Sequence, residues 1–263
     1  MQPPTLPLWI AGLVYYLFGR DGRPYRMLGW IYVILFLVFL IQNARFYFLA
    51  PAYPMLFTAG ATAAERFVRR RSWSWIKPAY VIVLAVSGLV VAPLTVVPAL
   101  PAETLAGITG AAGGNADVQI ETRKVAQLPQ NFANRFGWKQ MTATVGGVYH
   151  GLPADQRAEA CILTGNYGEA GAIDFFGPPQ GLPNAISGHN SYFIWGPGDR
   201  TGEVVISIGV PREVLVEEFG KTEQRVTVRC EYCMPDENGL PVFVNQGPRR
   251  PLSEAWTTFK HYD

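Results

Sequence analysis

The chain has 263 residues, 49% of them hydrophobic and only 16% charged, with a mean hydropathy of +0.12. Residues 1–101 carry nine Lys/Arg against two Asp/Glu, and residues 102–263 carry thirteen against eighteen, so the net charge of +2 averages a sparse basic half (+7) and an acidic half (−5). This composition excludes disorder, collagen, a disulfide-dense miniprotein and a single soluble globule.

In chain order, four stretches hold no charged side chain: Met1–Gly19, Met27–Ala44, Phe46–Ala64 and Pro78–Ala102. A helix needs ~20 mostly apolar residues to cross a ~30 Å hydrocarbon core. The stretches therefore predict about four transmembrane helices within residues 1–101. The first is the weakest, because Pro3, Pro4 and Pro7 leave only Leu8–Phe18 as an apolar run. A signal peptide is its rival reading, but it would want a basic start and a small-residue cleavage site, and neither is present.

Arg20, Arg23 and Arg26 follow the first stretch, and Arg66, Arg69, Arg70, Arg71 and Lys77 follow the third. Basic short loops stay cytoplasmic. With four alternating spans, both loops fall on that side and residues 103–263 lie outside. The Arg69–Arg71 run is read as a topology anchor in preference to a headgroup or nucleic-acid site, so no nucleic-acid partner is expected.

Residues 102–130 are Gly/Ala-rich and read as a linker. Residues 131–263 then read as a small soluble α/β domain with a largely parallel sheet. Its predicted elements are a helix over 132–151, a strand over 158–164, a helix over 167–176, a strand over 203–209, a helix over 211–219 and a strand over 224–232.

Gly165-Asn-Tyr-Gly168-Glu-Ala-Gly171 lies between strand and helix, where a phosphate turn would sit, but it lacks the Lys-Ser/Thr of a P-loop. Asn166 and Glu169 instead have the spacing of a capping box, which is the preferred reading. Ser187–Pro197 combines His189, Asn190, Tyr192 and Trp195, a mixture suited to stacking on a sugar face while hydrogen-bonding its hydroxyls. A buried aromatic loop is the alternative and is preferred while no partner is visible. Cys230-Glu-Tyr-Cys233 has no second pair to complete a zinc site and lies on a predicted strand, where positions i and i+3 are too far apart to bridge, so free or structural cysteines are expected. His150, His189 and His261 are too scattered to suggest a metal centre.

Asn43-Ala-Arg45-Phe-Tyr47-Phe-Leu49-Ala-Pro51-Ala-Tyr53-Pro54, the arginine-rich loop after it, Phe136-Gly-Trp138, Thr164–Gly171 and Ser187-Gly-His-Asn190 together resemble the C-terminal portion of family 39 glycosyltransferases. These are polytopic bacterial enzymes related to protein mannosyltransferases. The resemblance implies a multi-pass protein of the bacterial inner membrane with its C-terminal domain outside the cytoplasm. It also implies inverting transfer of a sugar from a polyprenyl-phosphate donor to a glycan, lipid or protein acceptor. No cofactor is identifiable, although such enzymes use a divalent metal in some members. The family's catalytic acidic residues precede anything matched here, so the expectation is a chain lacking the catalytic half, with no catalytic residue assigned. Arg45 and Tyr47 match positions placed near the donor, and Arg45 could hold a lipid phosphate or simply anchor the interface. A membrane-anchored module that binds glycan or peptide without catalysis is the alternative. A transporter subunit is weaker still, since the second to fourth stretches hold no charge to mark an ion path.

Overall fold

The computed structural model describes residues 3–44, 46–95, 97–111 and 126–262. It divides into two compact units, Met1–Leu105 and Ala106–Asp263.

The first unit is helical: α1 (Leu6–Phe18), α2 (Arg26–Ile41), α3 (Tyr53–Arg70) and α4 (Ile76–Thr95). Gly12 and Gly60 let α1 and α3 touch, because a Cβ on Gly12 would run into the Leu56 carbonyl and one on Gly60 into that of Leu8. Tyr16, Tyr32, Leu49 and Leu56 form the buried centre. An Asp21–Arg66 ion pair brings the Arg20–Arg26 and Arg66–Arg71 segments together.

The expectation of about four membrane-crossing helices is corrected. Among the described residues, only Arg23–Ile41 and Ile76–Leu94 are long and apolar enough to cross a membrane. At ~1.5 Å per residue, the 13 residues of α1 span ~20 Å, well short of the hydrocarbon core. The third charge-free stretch does not become one helix. Phe46–Ala52 is a 3-10 turn containing Pro51, and α3 begins only at Tyr53 and runs on through Glu65, Arg66, Arg69 and Arg70. A run of uncharged sequence is not a run of uncharged helix.

α5 (Ala102–Ala111) turns the start of the expected linker into helix. The second unit then follows: α6 (Gln130–Ala133), α7 (Trp138–His150), α8 (Ala154–Glu159), β1 (Ala160–Thr164), α9 (Tyr167–Phe176), β2 (Ala185–Ser187), α10 (Asn190–Trp195), β3 (Val204–Ile208), α11 (Arg212–Glu218), β4 (Phe219–Thr227), β5 (Pro241–Pro248) and α12 (Leu252–Ala255), ending in a 3-10 turn Trp256–Phe259. The strand order is β2-β1-β3-β5-β4. β2, β1 and β3 are parallel, whereas β5 is antiparallel to both β3 and β4.

The sheet is therefore mixed, not largely parallel. β4 and β5 are joined by the loop 228–240, which forms no crossover helix, and β5 returns antiparallel beside β4. One face buries Ile162, Ile206, Val242 and Val244 under α7 and α9. The other buries Leu163, Val205 and Phe243 under α11 and the C-terminal turns, through Leu215, Trp256 and Phe259. Ile162 and Ile206 are wholly buried partners in register, and each contributes ~1.5–3 kcal/mol by leaving water.

Candidate functional site at the carboxyl ends of the parallel strands

β1 connects through α9 to β2 on one side of it, whereas the connection after β3 leads through α11 to β4 at the opposite edge. The loops leaving β1 and β3 therefore diverge and open a crevice beyond their carboxyl ends, the place where open α/β sheets bind ligands. A cleft of about 320 Å³ lies there. It is lined by Thr164 and Gly165 after β1, Gly209 and Val210 after β3, and Lys260 and His261 from the C-terminal segment.

Gly165 and Gly209 are needed where the two loops meet: a Cβ on Gly165 would strike the Gly209 backbone, and one on Gly209, at φ +71°, would strike the Glu169 carboxylate. Glu169 is buried and belongs to the expected capping box. Its Oε2 accepts from the Gly165 N–H at 2.8 Å and the Asn166 N–H at 3.1 Å, while the Asn166 Oδ1 accepts from the Glu169 N–H at 2.9 Å. The turn's amides are thus satisfied by the protein's own carboxylate, and a phosphate would meet that charge.

The C-terminal segment is strapped across the end of β2. The His261 N–H donates to the Gly188 carbonyl at 3.1 Å, and the Asn190 N–H donates to the His261 carbonyl at 3.3 Å. A Cβ on Gly188 would overlap the Phe259 carbonyl, so only glycine admits this strap. His261 stacks on His189 with centroids 4.6 Å apart, and Tyr167 packs against His189 at a tilt of 50° with centroids 4.9 Å apart.

The hydrogen bonds settle the tautomers. His261 Nδ1 lies 2.9 Å from the Phe259 carbonyl, which only accepts, so Nδ1 carries a proton and, in the neutral ring, Nε2 is the acceptor. His189 Nδ1 accepts from the Tyr167 N–H at 3.3 Å, so its Nε2 carries the proton; Asn190 Nδ2 is placed 2.8 Å from that N–H, and two donors cannot pair, so the Asn190 amide is assigned in the flipped orientation. The Thr258 hydroxyl oxygen accepts from Arg250 Nη2 at 2.7 Å. The Lys260 ammonium lies 4.9 Å from the Phe193 ring centre. The cleft therefore offers one cation, one basic ring nitrogen and hydroxyls, the set that binds polyhydroxylated or anionic small molecules.

The expected ligand loop splits. It is not an irregular loop, for Asn190–Trp195 is helical. His189 and Asn190 stand beside the cleft, with His189 fully buried and Asn190 at φ +51°. Tyr192 instead anchors α10 to α9, its hydroxyl donating to Asp174 Oδ2 at 2.7 Å; burial, then that carboxylate, pushes the phenol up to about 12. Trp195 packs edge-on against Tyr192 and is 69% exposed. Of the expected lipid-phosphate pair, Arg45 lies outside the described residues. Tyr47 sits on the 3-10 turn with its ring 5.0 Å from that of Phe48.

Cys161, Cys230 and Cys233 are free thiols, and Cys230–Cys233 lies beyond β4 in a bend, not on the expected strand. Among the described residues no group of three or more His, Cys, Asp or Glu could hold a metal ion. Sequence reasoning missed Gly209, Thr258, Lys260 and His261. Gly209-Val-Pro211 at the end of a predicted strand was a usable signal; the C-terminal segment had none. Comparison with family models, with curated proteins and with solved structures finds no match.

Proposed function

We propose that the chain takes part in membrane glycosyl transfer, as the C-terminal part of an enzyme that moves a sugar from a polyprenyl-phosphate donor to an acceptor outside the cytoplasm, with the α/β unit recognising the sugar or its acceptor. One observation carries this reading. The segments on which the family resemblance rests, 164–171 and 187–190, are distant in sequence yet meet at one cleft, where Thr164, Gly165 and Gly188 form its wall. Trp138 joins them, since a Cβ on Gly168 would come within 3.1 Å of its ring.

Two helices fit a membrane location. The pairing of Asp21 with Arg66 gathers the basic segments, and the positive-inside tendency assigns that end to the cytoplasm of a bacterial inner membrane.

The test uses the whole chain in nanodiscs. Saturation-transfer NMR is expected to detect binding of hexoses, pentoses or their phosphates. His261→Ala should weaken that binding about tenfold, the loss of one hydrogen bond worth ~1.4 kcal/mol. No saturation transfer from any of these sugars would overturn the proposal.

A binding module without catalysis is the second reading. It is favoured by the cleft's lining of hydroxyls, a lysine and a histidine, with no carboxylate among the described residues that line it. Sugar binding without transfer of label from a polyprenyl-phosphate donor, in membranes that hold the chain, would select it.

A further inference from the structure

Val228 to Leu240 forms a loop closed at its base by the Val228 N–H donating to the Leu240 carbonyl at 2.8 Å and the Gly239 N–H donating to the Val228 carbonyl at 2.9 Å. Inside it the chain bends at 231–233, so Cys230 and Cys233 face each other across a turn. The extended-strand objection to a bridge therefore does not apply: a tight turn brings the Cα atoms of i and i+3 within ~7 Å, close to the ~4.4–6.8 Å range of disulfides. The Cys233 thiol donates to the Cys230 carbonyl at 3.4 Å, and the Cys230 N–H is fixed by the Asn238 Oδ1 at 2.9 Å. Gly137 sits against both residues; a Cβ there would lie 3.1 Å from Cys230 Sγ and 3.2 Å from the Cys233 Cβ.

The two sulfurs are unlike. Cys233 is buried, and burial first, then the neighbouring Cys230 thiol, pushes its own thiol up to about 12. Cys230 is half-buried and lines an open cleft with Gln140, Arg229, Glu231 and Asn238, wide enough at about 670 Å³ for a small peptide disulfide. One sulfur is reachable and the other is held behind it, the arrangement of an attacking and a resolving cysteine.

We infer that Cys230 and Cys233 form a reversible dithiol–disulfide pair whose oxidation locks the 228–240 loop. The loop carries Glu237, whose Oε1 accepts from the Asn166 side chain at 3.2 Å, so the lock bears on the residue that caps α9 beside the cleft. The oxidant is a low-molecular-weight disulfide. The Cys230 thiolate attacks one of its sulfurs, forming a mixed disulfide and releasing one thiol. The Cys233 sulfur, giving up its proton, then attacks Cys230 Sγ and expels the second thiol. Two protein thiols lose two electrons and two protons, and the oxidant's disulfide becomes two thiols.

The test takes the whole detergent-solubilised chain through buffers of reduced and oxidised glutathione, quenches with acid, alkylates after denaturation and maps the peptides by mass. The expected oxidised wild type is lighter by two hydrogens and takes no alkyl group at Cys230 or Cys233, while Cys161, alone in β1, stays fully labelled. C233S should instead accumulate glutathione on Cys230. Amide exchange across 231–239 should slow in the oxidised wild type. Three alkylatable cysteines in excess oxidant would overturn the inference, as would a wild-type glutathione adduct as persistent as that of C233S. Unchanged exchange across the loop would overturn the lock. These readouts need no sugar or transfer assay, so they fail or succeed apart from the proposed function.

Discussion

Glu169→Ala is the sharpest perturbation of the turn that forms the cleft's wall. Glu169 is 2% exposed, and its carboxylate accepts from two backbone N–H groups, those of Gly165 and Asn166. The two bonds are not equal. The Gly165 N–H also reaches the Ile208 carbonyl at 2.8 Å and keeps that partner when the carboxylate is removed. The Asn166 N–H is the group left without its acceptor, and a hydrogen bond to a charged group contributes ~1.5–3 kcal/mol. Adding the packing lost beside Gly209, local opening of the 164–171 turn should become easier by ~2–3 kcal/mol.

With two units in one chain, a global unfolding midpoint would mix their transitions. Hydrogen exchange followed by mass spectrometry across 165–171 reads the local opening directly. The expected acceleration is about 30- to 150-fold, since ~1.4 kcal/mol is a factor of ten. Glu169→Gln keeps an acceptor oxygen and should cost only ~1 kcal/mol, and Asn166→Ala, a lost N-cap, about the same. Exchange in Glu169→Ala within threefold of the wild type would refute the reasoning. So would a larger effect in Asn166→Ala, which would move the stabilisation from the carboxylate to the amide.

Glu218 gives a pH dependence of defined sign. Arg250 donates to both of its oxygens, one at 2.8 Å through Nε, and this bond first of all holds the carboxyl below its ordinary value of 4.5 despite burial. A lowered folded pKa contributes stability that is present above pH ~4.5 and is lost as the pH falls through the folded value. Denaturant midpoints of the α/β unit should therefore drop on acidification, and Glu218→Gln should flatten that acid limb; an equally steep limb in the variant would exclude Glu218 as its source. Val86, 55% exposed and near the middle of Ile76–Leu94, tests the membrane reading. Val86→Arg adds ~2.5–3.5 kcal/mol to insertion at a helix centre, so the fraction resisting alkaline extraction should fall; unchanged retention would argue against this helix as a span.

Local features were legible from residue order. The 167–176 helix and its capping box are found as read, because Asn166 and Glu169 are three residues apart and satisfy each other's backbone without distant help. The strand at 203–209 and the helix at 211–219 agree within a residue at each end. β2 was missed because three residues carry no periodicity, and β5 because Pro241 and Pro248 bound it like a loop. The strand expected over 224–232 lies at 219–227 instead, where pairing with β5 sets its register and frees Cys230 and Cys233 for the bend. Of the cleft, Thr164, Gly165 and Gly188 stand in segments whose residue pattern already marked them. Thr258, Lys260 and His261 do not, since nothing in a polar tail announces where it docks.

Composition alone thus divided the chain into an apolar basic part and an acidic part, because helices apolar enough to cross a membrane and a globular sheet demand different residues over tens of positions. Tertiary structure decided how many helices could cross a membrane, which way β5 runs, and which residues meet at the carboxyl ends of β1 and β3. Those outcomes depend on where helices start and which distant segments pair. Such choices are made by contacts between Gly188 and Phe259, Gly165 and Gly209, or Asn245 and Val205. No local spacing encodes them.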